Sequence, residues 1–173
     1  MQKPSVTQLL DLLAKPALIA WANRQGLLGV DIAELRKQAK KDGASLHDQI
    51  ETGRFADPAH AAKFAHFMRD KELIDQEQSI ETEWFVGRYD ARLKWRDQTW
   101  LLDYKKATRP TVYFEHRLQL AAYALGTQAD RFAIVAVPGF DMAEAVMTGG
   151  LAKHQELVIA LAKIWSIQQE IGV

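Results

Sequence analysis

Two carboxylates and a lysine gather in the middle of the chain: Asp90 ends the run Gly87-Arg88-Tyr89-Asp90, and Asp103 and Lys105 frame Asp103-Tyr104-Lys105. In an extended segment successive side chains alternate, so Asp103 and Lys105 share one face and Lys106 points to the other. If Asp90 closes the preceding strand of the same hairpin, two acids and an ammonium group meet at one point. Such a set suits a divalent cation that prefers oxygen, Mg2+ or Mn2+ rather than zinc, with a water activated beside it. In outline this is phosphodiester hydrolysis.

The elements that must position these groups are legible in the patterning. Ser79 to Tyr89, Ala91 to Arg96 and Thr99 to Lys106 alternate as an antiparallel meander, with Arg96-Asp97-Gln98 as a turn. Val112 to Leu125 reads as a helix capped by Gly126, and it sets Gln119 and Tyr123 on one face, four residues apart. Arg131 to Val137 is a continuous apolar run, as a buried strand should be, stopped by Pro138-Gly139. Ala143 to Met147 reads as a further strand and Leu151 to Ile171 as a long terminal helix.

The first part of the chain reads as helical. Ser5-Val6-Thr7 starts one helix with Leu9, Leu10, Leu12 and Leu13 on its apolar face, and Pro16 starts a second that continues through Ala17 to Asn23 and buries Trp21. Asp31 to Ile50 is amphipathic, with a break near Asp42-Gly43, and Asp57-Pro58 opens a helix running to Asp70. This order predicts an α/β chain of the α+β type, with a central mixed sheet of about five strands flanked by helices. Residues 1–173 form one domain on this reading, with 1–72 helical and 73–173 carrying the sheet core and closing helix.

Composition narrows the class. A chain of 173 residues can bury a proper core. It has no cysteine, which excludes disulfides, thiolate metal sites and an iron-sulfur cluster held by cysteines. No apolar stretch approaches a membrane span, and no basic segment precedes an apolar run at the N-terminus, so a cytoplasmic protein without a membrane partner is expected. Formal net charge is zero, yet residues 88–117 hold Arg88, Arg92, Lys94, Arg96, Lys105, Lys106, Arg109 and Arg117 against Asp90, Asp97, Asp103 and Glu115. With two of those acids given to a metal, the segment is basic enough to meet phosphates.

Four pieces in order, Gly43-Ala44-Ser45-Leu46-His47, Gly87-Arg88-Tyr89-Asp90, Asp103-Tyr104-Lys105 and Gln119-Leu120-Ala121-Ala122-Tyr123, resemble the PD-(D/E)xK nuclease superfamily, and within it the RecB-type exonuclease domains. The resemblance spans roughly residues 5–170. It implies a restriction-endonuclease-like core and a metal-dependent exonuclease acting on single- or double-stranded DNA ends. Lacking cysteine, the chain resembles the cluster-free branch, and its small form resembles phage or mobile-element nucleases of recombination and repair. A recombination or single-strand-binding protein would be a natural partner.

The same resemblance implies the roles. His47, Asp90, Asp103 and the backbone carbonyl of Tyr104 would hold Mg2+ or Mn2+, and Lys105 would orient the attacking water. Gln119 and Tyr123 would contact the substrate backbone or buttress Lys105, with Arg117 near phosphate. Glu81 and Glu83 are candidates for an accessory carboxylate, although both stand at odd separations from Asp90 and so on the opposite face of a regular strand. Trp84, Trp95, Trp100 and Tyr113 are candidate stacking platforms for bases. His60, His66, His116 and His154 are expected to be ordinary surface or core residues. Alternatives of other classes are a catalytically silent DNA-binding or assembly module of the same fold, a structure-specific endonuclease, and a scaffold whose helical half binds a partner.

Overall fold

A computed structural model of the chain describes residues 3–13 and 47–172. The expected helix from Pro16 to Asn23 with Trp21, the part of the Asp31 to Ile50 helix that precedes His47, and the Gly43-Ala44-Ser45-Leu46 approach to His47 lie outside the described residues.

Helix α1, Val6–Asp11, starts where the cap residues predict. Ser5 Oγ accepts from the Gln8 N–H at 3.2 Å, while Gln8 Oε1 accepts from the Ser5 N–H at 2.8 Å, so two backbone donors at the helix start are satisfied reciprocally. Residues 47–52 are helical and bury Ile50. Helix α2, Pro58–Met68, begins with Pro58 in its first turn behind Asp57, whose Oδ1 accepts from the Ala59 N–H at 2.8 Å.

Five strands follow in a single mixed sheet, interrupted by helix α3, Phe114–Gly126, and closed by helix α4, Leu151–Ile171. The strands are β1, Glu72–Glu81, β2, Val86–Trp95, β3, Gln98–Ala107, β4, Arg131–Pro138, and β5, Asp141–Glu144, and their spatial order equals their chain order. All neighbours are antiparallel except β3 and β4, which are parallel because α3 carries the chain back across the sheet. The fold is therefore α+β, with a five-stranded mixed sheet flanked by helices, as the patterning predicts.

Each face of the sheet has its own core. On one face α1, α3 and α4 cover Tyr89, Leu101, Phe132 and Ile134; on the other, α2 and Ile50 cover Ala91, Leu93, Leu102 and Val135. Covering on both sides explains why β4 is apolar almost throughout and why β3 is apolar from Trp100 to Leu102.

Three expectations about local structure are corrected. The stretch from Ser79 to Tyr89 is not one strand: Thr82 Oγ1 accepts from the Trp84 and Phe85 N–H groups at 3.2 and 3.0 Å, and this turn divides β1 from β2. The last strand lies at Asp141–Glu144 rather than Ala143 to Met147, because the turn after β4 closes with the Phe140 N–H donating to Ala136 O at 2.7 Å and pairing resumes at once. Gly126 is the last residue of α3 and not its cap, which is Thr127. A Cβ at Gly126 would stand 2.9 Å from Ile80 Cβ, so β1 requires glycine there by close approach.

Candidate active site

The site begins where the β2–β3 ladder stops. The two strands pair from Trp95 with Gln98 to Ala91 with Leu102, and the next residues along each strand are Asp90 and Asp103. Side-chain alternation breaks at the same place: Tyr89 packs in the core under α3, whereas Ala91 packs in the core under α2. A regular strand would keep residues two apart on one face. The Asp90 carboxylate fills the gap, with Oδ2 accepting from the Tyr104 backbone N–H at 2.6 Å. Asp90 thus lies within β2 and does not close it, and an irregular backbone, not a strand end, aims its side chain toward β3. Tyr104 meets the site through its N–H, and its ring packs edge-on to His47 at 6.2 Å between centroids.

Strand β1 adds a residue that the sequence reading omits. Glu77 falls between the pairs Gln76–Ala91 and Gln78–Tyr89, so it lies opposite Asp90. Its φ of +49° is a left-handed conformation that a non-glycine residue adopts at a cost, and it replaces regular pairing at that position. Glu77 Oε1 stands 3.0 Å from His47 Nδ1, and Oε2 stands 3.0 Å from Arg88 Nε. His47 Nδ1 is also 3.5 Å from Asp90 Oδ1. One ligand atom from each of His47, Glu77 and Asp90 lies within 4.8 Å of the other two.

This donor set fits a hard divalent cation. Two carboxylates and an imidazole nitrogen, partly buried and converging from three elements, are ligands that Mg2+ tolerates and Mn2+ accepts readily. The electrostatics agree. Burial, then the charge of Asp103, push the Asp90 carboxyl well above the usual carboxylate range, with Glu77 adding to the rise; the Tyr104 N–H and the Lys105 ammonium oppose it. A cation between these acids would relieve the repulsion that raises it.

A second chain of groups lies against α3. Lys105 Nζ stands 2.8 Å from Asp103 Oδ2 and donates to Gln119 Oε1 at 3.2 Å; Gln119 Nε2 in turn donates to the Tyr123 hydroxyl at 2.9 Å. Asp103 is only 1% exposed, and among the described residues its Oδ2 accepts no well-angled hydrogen bond, although the ammonium is close. Burial holds the Tyr123 phenol well above its usual range, so it remains a neutral hydrogen-bonding group. The shared face expected for Asp103 with Lys105, and for Gln119 with Tyr123, is thus present. Asp103 stands outside the trio of His47, Glu77 and Asp90 and has Lys105 as its partner.

Other expected residues lie elsewhere. Arg117 Nε donates to Val146 O at 3.0 Å and anchors the loop after β5. Glu81 is exposed and pairs with Lys3 at 2.7 Å, and Glu83 lines a hollow with Trp84 and Trp165. Neither glutamate joins the trio, because the turn at Thr82 sends them to the far end of the hairpin. Of the aromatic candidates, Trp100 is buried, Trp95 packs on it at 5.4 Å between centroids, and Trp84 carries Lys163 over its ring. Tyr113 is 58% exposed at the start of α3, edge-on to His116. The basic segment is also partly self-neutralised: Arg88 pairs with Glu77, Arg92 with Asp75, and Lys105 with Asp103.

Local pattern carries no mark of Glu77: Asp75 to Ser79 is a run of five polar residues, which is ordinary for the largely exposed edge strand β1.

No protein family and no curated protein matches the chain. Among solved structures, the crystal structure of SSO0001 aligns over 94% of this chain and 76% of its own, at 15% identity and a TM-score of 0.46.

Proposed function

We propose that the chain is a Mg2+- or Mn2+-dependent deoxyribonuclease that acts as an exonuclease on DNA ends, in phage or mobile-element recombination and repair, in the cytoplasm. The observation that carries this reading is the trio of His47, Glu77 and Asp90 beside the Asp103–Lys105 ion pair. The resemblance to RecB-type domains of the PD-(D/E)xK superfamily agrees with it at His47, Asp90, Asp103, Lys105, Gln119 and Tyr123.

His47, Glu77 and Asp90 would hold the ion, with Asp103 adding negative charge from the adjoining strand. When bound, the ion would supply Lewis-acid polarisation of the phosphate oxygens. The protein's own groups account for the rest. Lys105, paired with Asp103 and bonded to Gln119, would have a third donor left to orient a water and to offset charge that builds on the phosphate during attack. Gln119 cannot swing away, since its amide is fixed to the Tyr123 hydroxyl. Arg88 neutralises one oxygen of Glu77 and leaves the other facing His47. Tyr113, exposed about two helical turns before Gln119, would offer its ring to a base of the entering strand.

The test is digestion of end-labelled linear and closed circular DNA, single- and double-stranded, with Mg2+ or Mn2+. Loss of linear substrates only is expected, and Lys105→Ala should slow it by about 10²–10³-fold. Cleavage of circles would change the activity to endonuclease at the same site. No cleavage by a folded, metal-binding chain would sink the enzyme reading and leave a DNA-binding or assembly module.

A further inference from the structure

Helix α4 is apolar on two sides. His154, Val158, Leu161 and Ala162 are buried against the core under α1 and α3. Leu157, Ile164, Ile167 and Ile171 face away from it, exposed by 36%, 47%, 54% and 67%, and Ala160 is exposed among them. A helix on a protein surface ordinarily turns a polar side to water. Here the outward side runs Leu157, Ala160, Ile164, Ile167, Ile171, alternating steps of three and four residues along the 21-residue helix. That is the spacing of a coiled-coil seam, in which every apolar residue meets a partner helix.

The charges beside the seam identify the partner. Glu156, Lys163 and Glu170 are seven residues apart and each immediately precedes a seam residue, on the flank away from buried Leu161, where Lys163 also lies over the Trp84 ring. In an antiparallel pairing of two such helices these flanking positions face one another. Setting Ile164 opposite Ile167 of a second copy stacks four apolar layers, Ala160 and Ile171 forming the outer two, and brings Lys163 of each copy against Glu170 of the other. Sliding by one heptad, so that Ile164 meets Ala160, sets Lys163 against Lys163 and Glu156 against Glu170, which is repulsive. A parallel pairing offers no charge pair, because the opposite flank holds buried Leu161 and neutral Gln168. The pattern is therefore complementary to itself in one register, as a two-fold interface must be.

We propose that α4 is a dimerisation helix whose occupant is α4 of a second copy, antiparallel, with Ile164 and Ile167 at the centre and Lys163–Glu170 pairs at the rim. The inference does not depend on the nuclease reading. It also gives a reason for the zero net charge, which lets two copies approach without mutual repulsion.

Sedimentation velocity of the full chain across a concentration series tests it, with no DNA present. The native chain should dimerise. Ile164→Glu should weaken the dimer on the order of a hundredfold while circular dichroism and the unfolding midpoint of the monomer stay level, since the side chain is exposed. Glu170→Lys should weaken it, and the double exchange Lys163→Glu with Glu170→Lys should restore it. A native chain that stays monomeric at every concentration overturns the proposal. So does a dimer that Ile164→Glu leaves intact, or one indifferent to the charge exchange.

Discussion

Asp90 sets the pH behaviour of the folded chain. Its carboxyl lies well above its ordinary value of 3.8, first through burial and then through the charge of Asp103. A carboxyl whose folded value is raised favours folding only while protonated; its contribution is present below the unfolded value and is lost as pH rises through the folded one. At neutral pH the metal-free protein is therefore less stable, relative to acid, for burying a group whose unfolded form carries a charge. Asp90→Asn keeps an oxygen for the Tyr104 N–H and removes that charge. In chelator at pH 7 its melting temperature should exceed that of the native chain, and the gap should close toward pH 4; a variant that melts lower at pH 7 would mean that burial is not what controls this group. Glu77 is the residue to separate stability from function, because its positive φ costs about 1 kcal/mol that glycine would not incur. Glu77→Gly should bind Mn2+ roughly 10- to 100-fold more weakly by calorimetry without a lower melting point in chelator. A metal affinity equal to the native value would remove Glu77 from the site.

At the scale of elements, close approach decides more than capping. A methyl group at Gly126 would meet three carbons of Ile80 at 2.9 to 3.2 Å, so Gly126→Ala has to push α3 off β1. Urea unfolding should show a loss of about 1–3 kcal/mol, where a pure helix-propensity argument predicts a gain. Which elements could be read in advance follows the same division. The α1 and α2 starts, the two-residue turn at Arg96-Asp97 and the long α4 depend on residues near in sequence, and each is legible. Arg96 and Asp97 both take positive φ, as a tight hairpin turn requires. The division between β1 and β2 hangs on the Thr82 hydroxyl, which competes with the strand for backbone donors, and apolar spacing carries no mark of that competition. Strand β5 is placed by the turn that precedes it and not by its own alternation, hence the offset of its predicted limits.

For the molecule as a whole, the legible part of the candidate site was residue type and local face: Asp103 with Lys105, and Gln119 with Tyr123. What local pattern could not supply was register across the sheet, because Glu77 meets Asp90 only after β1 has bulged at Ile74 and lost regular pairing at Glu77 itself. A ligand that binds the folded chain alone raises its stability by about 2.7 kcal/mol at a hundred times its dissociation constant. Saturating Mn2+ should accordingly raise the melting temperature of the native chain and leave Asp90→Asn nearly unmoved; an equal rise in both would mean that the ion binds elsewhere. The groups gathered at this site come from the helical turn at His47 and from β1, β2, β3 and α3, with β3 held along its other edge by β4. On the nuclease reading, a ribosome making this chain releases no cutting activity until α3 has emerged and the sheet has closed around Asp103. On that reading, truncated or misfolded copies, surrounded by the cell's own chromosome, would be harmless to it.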